Sequence, residues 1–257
     1  MGGTSEGRRL AQRLATDARY QALLSFAGRT QRLEDPRVPY RVGGFGGVEG
    51  LSAYLQAERW DALVDATHPF AAQMSRHAAR AAELTQTPLL RVEWPAWSPV
   101  EGDRWIAVAD MVEAAVALGL APRRVFLSIG RLELGAFRAA PQHEYLIRML
   151  DELTVDLPRA RVLAARGPFD AEAEASLLER EGIEVIVSKN SGTAATYGKL
   201  AAARRLGLPV VMVERPRLPP VESAGTCEAA YAWLAALQEA AHQEAAHHGA
   251  SLTRRGV

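Results

Sequence analysis

The chain has 257 residues, of which 48% are hydrophobic and 23% charged, and its 30 basic and 30 acidic side chains cancel. This size and composition predict a globular protein with one large domain or two small ones. The zero net charge gives no support to a nucleic-acid or anionic-membrane partner, so we expect neither.

Targeting and anchoring segments are not predicted. The longest apolar runs are too short to span a bilayer, and the N-terminus lacks the basic and apolar regions of a signal peptide. The single cysteine, Cys227, cannot form an internal disulfide, and no cysteine–histidine cluster has the spacing of a metal site. These features favour a cytoplasmic protein without a bound metal.

The first part of the chain alternates helices and strands. Apolar periodicity predicts helices at 5–15, 49–58 and 69–84, and strands at 20–26, 37–42, 61–66 and 88–93. Strands with a nearly continuous apolar character, alternating with helices, predict a parallel sheet that is covered on both faces.

A proline-rich segment at 94–103 interrupts this rhythm and predicts a linker. The pattern then gives helices at 109–118, 171–181, 193–206 and 228–239, and strands at 124–129, 144–150, 160–165, 183–187 and 209–213. The polar residues 240–257 are expected to fray. We therefore predict two α/β domains, residues 1–99 and 100–257, with a cleft between them.

A glycine-rich turn at residues 2–7 leads into the first helix and has the features of a phosphate-binding loop. Glycine lets the backbone approach a ligand closely, and the N-terminus of a helix favours a phosphate. The spacing Gly-Gly-x-x-x-Gly is weaker than Gly-x-Gly-x-x-Gly, so an ordinary turn or a mobile N-terminus remains an alternative. The predicted cofactor-binding residues here are Gly2, Gly3, Thr4, Ser5 and Glu6.

Arg29 and Thr30 follow the predicted strand at 20–26. A site for NAD usually has an acid there, which holds the ribose 2′-hydroxyl, whereas an arginine suits the 2′-phosphate of NADP. The segment contains no acid, so NADP(H) is predicted over NAD(H). Thr67, just after the strand at 61–66, completes the predicted cofactor site.

Polar and cationic residues recur just after the predicted strands. Ligands of open parallel sheets bind outside the carboxyl ends of the strands, although a scattered surface arginine is an alternative at each single position. Only two of the 30 basic residues are lysines, and a lysine can shift its pKa in ways that an arginine cannot. The residues after strands are His68, Arg131, Arg166, Lys189, Asn190 and Arg215, whereas Lys199 lies on the apolar stripe of the predicted helix at 193–206, where it is expected to point inward.

Four motifs, in order and spacing, resemble the precorrin-6A reductases of cobalamin biosynthesis, over the chain to about Trp233. They are Gly2-Gly3-Thr4-Ser5-Glu6-Gly7-Arg8, Val64-Asp65-Ala66-Thr67-His68-Pro69-Phe70-Ala71, Ala165-Arg166-Gly167-Pro168-Phe169 and Ser188-Lys189-Asn190-Ser191-Gly192. The resemblance implies two Rossmann-like domains and NADPH-dependent reduction of a ring double bond of precorrin-6A, which gives precorrin-6B. Relatives of the anaerobic route act on the cobalt-containing ring, typically with NADH.

The resemblance also implies a substrate site for a macrocycle that is edged with acetate and propionate carboxylates. Cationic side chains suit such a polyanion, because arginine binds carboxylates in a bidentate manner. The implied substrate-binding residues are His68, Arg131, Arg166, Lys189, Asn190, Ser191, Lys199 and Arg215. Among the catalytic candidates, His68 is the first choice of proton donor and Lys189 the second, and water is a third option.

One departure from the family pattern concerns the N-terminus. Family members carry an apolar strand before the Gly-Gly-Thr turn, whereas this sequence starts at the turn. We therefore expect the first strand of the first domain to be missing, which would leave neighbouring strands with unpaired edges. A monomer is favoured. A methyltransferase that uses S-adenosylmethionine and a non-catalytic nucleotide- or tetrapyrrole-binding protein are the alternatives.

Overall fold

A computed structural model describes residues 1–27, 35–150 and 154–253. The chain forms two compact units, one from Met1–Trp94 together with Leu218–Val257, the other from Pro95–Arg217. The sequence had assigned everything after residue 99 to the second domain. The segment from Leu218 instead groups with the first unit, because a strand within it pairs into the sheet of that unit.

The first unit contributes the elements at both ends of the chain, and the second unit contributes those between them. The strands are β1 (Leu24–Phe26), β2 (Tyr40–Val42), β3 (Leu63–Asp65), β4 (Leu89–Val92), β5 (Arg104–Val108), β6 (Arg124–Ser128), β7 (Glu144–Met149), β8 (Ala160–Ala164), β9 (Val185–Lys189), β10 (Pro209–Val213) and β11 (Glu222–Ala224). The α-helices are α1 (Ser5–Ala15), α2 (Gly47–Ala57), α3 (Ala72–Thr85), α4 (Met111–Ala117), α5 (Ala171–Arg180), α6 (Gly198–Leu206) and α7 (Cys227–Thr253). Two 3₁₀ helices cover Arg131–Ala139 and Ala194–Thr196.

The first unit contains two short parallel sheets, β1–β2 and β11–β4–β3. Met1 and Gly2 connect them. The Met1 ammonium donates to the Val64 carbonyl (2.7 Å), the Ala66 N–H donates to the Met1 carbonyl (3.0 Å), and the Gly2 N–H donates to the Ser25 carbonyl (2.9 Å). If these two residues count as the first strand, the spatial order is the 3-2-1-4-5-6 order of a doubly wound dinucleotide-binding fold.

The described residues before α1 form no strand, as expected, but Met1 and Gly2 occupy the end of the first-strand position nearest the turn. A cavity of about 990 Å³ continues the line of these residues between β1 and β3. Its lining is mixed: leucines contribute from both sides, among them Leu10, Leu14, Leu51 and Leu55, together with polar residues such as Glu58. Burial lowers the pKa of the Met1 ammonium below its usual value, and the charge of Asp65 opposes this shift.

The second unit is built on one six-stranded parallel sheet with the order β5-β10-β9-β6-β7-β8. From β6 the chain runs to one edge through β7 and β8, and from β9 it runs toward the other edge through β10. The switch point of the sheet thus lies between β6 and β9. A cluster that includes Phe126, Leu178, Ile186, Leu200 and Met212 forms the core between this sheet and the helices α5 and α6.

Two strands were not predicted from the sequence. β5 follows the expected linker and is an edge strand whose residues are largely exposed, so its hydrophobic pattern is weak. β11 has three residues, two of them exposed. Both owe their strand conformation to a partner that is distant in sequence, β10 and β4 respectively, and local propensity gives little sign of such pairing.

The last helix differs from the prediction in length. It was expected over 228–239, with a frayed tail over 240–257, but α7 continues to Thr253. The run of alanine with glutamine, glutamate and leucine that composes it has high helix propensity, which explains the continuation. Residues 254–257 of the predicted tail lie outside the described residues. Among the residues that the structure describes, no helix is both long and apolar enough to cross a membrane.

The cavity between β1 and β3 can be tested with an engineered N-terminal extension. We expect five added apolar residues before Met1 to raise the melting temperature, because an extended segment would pair with two sheet edges and fill apolar space. Each kcal/mol gained corresponds to about 2–4 °C for a protein of this size. The measurement is thermal denaturation by circular dichroism.

The matched control is an extension of equal length made of alternating glycine and aspartate. It converts the Met1 ammonium into an amide but cannot fill an apolar cavity. Equal melting temperatures for the two extended proteins would contradict the assignment of the cavity as a strand position.

Candidate functional site

The glycine-rich turn lies at the switch point of the first unit. From the Met1–Gly2 position, β1 and β2 extend to one side, whereas β3, β4 and β11 extend to the other. The turn that follows Gly2 and the segment that follows β3 therefore emerge next to each other. This is the place where doubly wound sheets bind their ligands.

Thr4 fixes the turn against the end of β3. Its hydroxyl donates to the Ala66 carbonyl (2.8 Å) and accepts from the Gly7 N–H (3.1 Å), so it also caps the N-terminus of α1. A Cβ atom on Gly7 would lie 3.2 Å from the Ala66 Cβ and 3.3 Å from the Ala66 carbonyl oxygen. Glycine at this position thus allows α1 to pack directly on the strand end.

Gly3 provides the open side of the turn. Its φ of +130° is a conformation that side chains disfavour, and a Cβ atom there would meet nothing within 4 Å. Ser5, which is exposed, donates from Oγ to Glu6 Oε2 at 2.8 Å. The first-turn N–H groups of α1 have no carbonyl partner within the helix. An open glycine beside them fits the pyrophosphate of a dinucleotide.

Thr67 is oriented by a buried carboxylate. Its N–H and its hydroxyl both donate to Asp65 Oδ1, at 3.2 and 2.7 Å, and Asp65 is 2% exposed. Thr67, a predicted cofactor residue, thus turns its hydroxyl hydrogen toward Asp65 and presents lone pairs rather than a donor to a ligand. Asp65 sets the shape of the segment that leads to His68.

His68 accepts a hydrogen bond from the Phe70 N–H at Nδ1 (3.2 Å). This bond assigns the ring proton of the neutral imidazole to Nε2. Protonation of Nδ1 would lose the bond. Nε2 can therefore donate a hydrogen bond, whereas release of a proton requires the imidazolium, whose formation at Nδ1 breaks the bond to Phe70.

Arg29 and Thr30 lie outside the described residues, so their predicted contact with the cofactor stays a prediction. The structure adds Arg41, at the neighbouring strand end, which the sequence analysis missed. Its guanidinium donates to Ser25 Oγ (3.0 Å) and to the carbonyls of Gly43 (3.0 Å) and Gly44 (3.1 Å). The signal that could have identified it is an arginine two residues before the second run of glycines, which begins at Gly43.

In the second unit, the strand order arranges the predicted cations along one edge. The carboxyl ends of β10, β9, β6 and β8 are followed by Arg215, by Asn190, by Gly130-Arg131 and by Arg166, while Lys189 is the last residue of β9. Arg131 and Arg166 are exposed, and Lys189 and Arg215 are partly exposed. The sheet therefore collects at its carboxyl edge the cations that are scattered in the sequence.

Lys189 lies at the switch point and forms an ion pair that was not predicted. Its Nζ is 3.0 Å from Glu133 Oε1, and Glu133 belongs to the 3₁₀ helix that follows β6. A Cβ atom on Gly130 would lie 2.4 Å from Glu133 Oε2 and 3.4 Å from Lys189 Nζ. The glycine thus makes room for the pair.

Asn190, Ser191 and Arg215 form a compact group at the ends of β9 and β10. The Arg215 guanidinium donates to the Asn190 and Ser191 carbonyls, each at 3.0 Å. The Asn190 side chain bonds to the backbone of Trp97. These contacts are within the protein, and the predicted role of the three residues as substrate ligands stays a prediction.

Lys199 is buried in α6, with 3% of its surface exposed. Its Nζ donates to the Thr196 carbonyl (2.7 Å) and lies 5.0 Å from the centroid of the Trp97 ring. Burial lowers the pKa of Lys199 to about 7, despite the opposing charge of Glu174. The side chain is enclosed, which is not the setting of a surface ligand for a substrate carboxylate.

Arg148 and Glu174 form a buried pair that the sequence analysis also missed. Two hydrogen bonds of 2.7 and 2.6 Å join their side chains, and the guanidinium packs on the Phe169 ring at 3.9 Å from its centroid. Removal of one partner from such a pair costs about 3–5 kcal/mol. An arginine within the apolar run Tyr145-Leu146-Ile147-Arg148-Met149 was the available signal.

Among the described residues, no cluster of three or more histidine, cysteine, aspartate or glutamate side chains could hold a metal ion.

Two doubly wound parallel units, one with an open glycine turn at its switch point and the other with a cationic edge, define a Rossmann-like α/β protein that is suited to a nucleotide and an anionic ligand. Comparison with known proteins identifies the group. The family model of precorrin-6x reductase CbiJ/CobK matches residues 1–235, and the chain belongs to this family.

Individual relatives agree with this assignment. The chain is 51% identical to a precorrin-6A reductase of a Sinorhizobium species over 232 residues, covering 90% of this chain and 89% of that protein. It is 47% identical to the precorrin-6A reductase of Rhodobacter capsulatus over 237 residues, covering 91% and 94%. A solved structure titled CobK precorrin-6A reductase matches with a TM-score of 0.86 and 46% identity, covering 92% of this chain and 94% of that one. The resemblance in the four motifs and the α/β fold are thereby confirmed.

The burial of Lys199 predicts a pH dependence of stability. Its folded pKa of about 7 lies below the ordinary 10.5, so between these values the unfolded chain holds a proton that the folded chain lacks. The free energy of unfolding should therefore rise with pH in this window, by up to about 1.4 kcal/mol per pH unit. Below pH 7 both states are protonated and the dependence ends.

Urea denaturation from pH 7 to 10 measures the effect. The Lys199→Met variant should lose this contribution, which is read as the difference in slope from the unmodified chain. A Lys189→Met variant, which removes the only other lysine, should keep it. An unchanged slope in Lys199→Met would show that Lys199 is not the group responsible.

Proposed function

We propose that the chain uses NADPH to reduce a ring double bond of precorrin-6A, giving precorrin-6B, in cobalamin biosynthesis. The observation that carries this proposal is the identity of 41–51%, over 90–92% of this chain, with proteins named precorrin-6A reductase. The enzyme is an oxidoreductase that acts on a CH–CH bond. Proteins named cobalt-precorrin-6A reductase are only 26–29% identical, which favours the metal-free macrocycle as the substrate.

A nicotinamide cofactor suits the reductase family, and the first unit has a fitting site for its pyrophosphate. Gly3 leaves its Cβ direction open, and Thr4 keeps the N-terminus of α1 at the strand end. The positive end of the helix and its first-turn N–H groups would hold the phosphates. The choice of NADPH over NADH rests on Arg29 and on the lack of an acid beside it. When bound, the cofactor supplies a hydride to a ring carbon.

The cationic edge of the second unit would bind the carboxylates of the macrocycle. Arg131 and Arg166 are exposed and follow different strands of one sheet, so they can reach separate acetate or propionate groups. A guanidinium binds a carboxylate through two parallel hydrogen bonds. Lys189 carries a charge that Glu133 already pairs, so a substrate carboxylate would share or replace Glu133 there.

A proton must reach the ring carbon next to the one that receives the hydride. His68 remains the first choice. It would release the proton from Nε2 as the imidazolium, so Nδ1 must first take up a proton and lose the bond from the Phe70 N–H. Lys189 is the second choice, and its ammonium donates to Glu133. Transfer of a hydride and a proton to the two carbons of one double bond completes the reduction.

The central test follows NADPH oxidation by absorbance with precorrin-6A present. We expect oxidation with one equivalent of precorrin-6B formed for each NADPH consumed. NADPH binding without oxidation would overturn the proposal in favour of a non-catalytic binding protein.

Arg29→Ser should lower kcat/KM for NADPH about 10–100-fold and change kcat/KM for NADH little, because a charge-assisted contact to a phosphate is lost. Unchanged preference would reject the role of Arg29.

The open glycine of the turn gives a second prediction. Gly3→Ala should raise KM for NADPH at least about tenfold, because the methyl group occupies the space beside the helix N-terminus and the residue has a positive φ. Steady-state kinetics with NADPH as the varied substrate measures this change.

Gly135→Ala is the matched control. A Cβ atom there would also meet nothing within 4 Å, but Gly135 lies in the second unit and has no positive φ. This variant should keep its KM for NADPH. An equal KM for Gly3→Ala and the unmodified chain would remove the turn from the cofactor site.

A further inference from the structure

The chain passes from one compact unit to the other twice, after Trp94 and after Arg217. Within the second unit, the first connection starts at Pro95 and the second connection ends at Arg217. Both contact the same short turn, Asn190-Ser191, which follows β9. The contacts come from opposite ends of the unit in sequence, about 120 residues apart.

The first connection is held by the side chain of Asn190. Its Oδ1 accepts from the Trp97 N–H (2.7 Å), and its Nδ2 donates to the Trp97 carbonyl (2.9 Å). A side-chain amide has both an acceptor oxygen and a donor nitrogen, so it can bond to the N–H and the carbonyl of one residue without a charge. The Trp97 ring also packs against Tyr197 (5.9 Å between centroids) and lies near Lys199 Nζ (5.0 Å).

The second connection is held by the backbone of the same turn. Arg215 donates from Nε to the Asn190 carbonyl and from Nη2 to the Ser191 carbonyl, each at 3.0 Å. The Asn190 N–H in turn donates to the Val213 carbonyl (3.0 Å), just before this connection begins. Asn190 thus uses its side chain for one connection and its backbone for the other.

We propose that Asn190 and Arg215 are positioning residues that fasten both connections to the turn after β9. Lys189 directly precedes Asn190. The residue that would contact the substrate and the two connections are therefore held by the same turn. This inference rests on the proposed function for its catalytic consequence. It replaces the expectation that the amide of Asn190 is a ligand of the macrocycle.

The consequence concerns kcat rather than binding. The turn that Asn190 and Arg215 hold also carries Lys189, which would contact the macrocycle. Loosened contacts would let Lys189 and the bound macrocycle take up more unproductive positions, while the other binding residues stay intact. Misplacement of reacting groups lowers kcat steeply.

Hydrogen exchange of the ligand-free protein tests the anchoring by itself. In Asn190→Ala, peptides that cover 95–99 and 214–218 should exchange at least about tenfold faster, while peptides of β6 stay protected. Arg215→Lys keeps the positive charge but loses the fork to two carbonyls, and it should loosen 214–218 most. The control is Gln142→Ala, which removes a surface amide that donates to the Gly119 carbonyl (2.9 Å) in the same unit.

Kinetics and binding of precorrin-6A test the consequence. Asn190→Ala should lower kcat about tenfold and change the Kd for precorrin-6A less than about twofold. A tenfold rise in Kd with unchanged exchange at both connections would make Asn190 a substrate ligand and overturn the proposal. Unchanged exchange in both variants would also overturn it. Failure of the proposed function would appear separately, as an unmodified chain that does not oxidise NADPH.

Discussion

The hydrogen bonds of Met1 and Gly2 are the constraint on which the first unit depends. Without them, β1–β2 and β11–β4–β3 are two separate small sheets, and a two-stranded sheet is at best marginally stable on its own. With them, Ser25, Val64 and Ala66 are tied to one short segment, and the glycine turn begins exactly where that segment ends. The same bonds therefore complete the sheet and place the candidate phosphate site at its switch point.

In the second unit, positive charges are distributed so that they do not destabilise the fold. The exposed Arg131 and Arg166 are at strand ends, where water screens them. The buried charges are paired instead: Arg148 with Glu174 by two hydrogen bonds, and the less buried Lys189 with Glu133. Lys199 is the exception, and burial lowers its pKa accordingly. Charge at the candidate site is thus separated from the charge that supports the fold.

Sequence reasoning predicted the elements with strong apolar patterns and the family, because four motifs in order are more specific than any one of them. It missed β5 and β11, whose strand conformation depends on partners far along the chain, and it assigned the C-terminal segment to the wrong unit. It placed Lys199 on the inward stripe of its helix, but residue type and sequence position do not reveal that the Asn190 side chain bonds to the backbone of Trp97. Glu133 and Arg148 gave only weak signals, because an ion pair between distant residues has no local pattern.

The return of the chain from Arg217 to the first unit has a consequence for biosynthesis. The second unit is continuous in sequence, so it can fold as soon as residue 217 has left the ribosome. The first unit must wait for β11 and α7, which pack on β4 and α1. The domain that is synthesised first is therefore completed last, and during that delay β4 exposes an unpaired edge on which a chaperone or a second nascent chain could act.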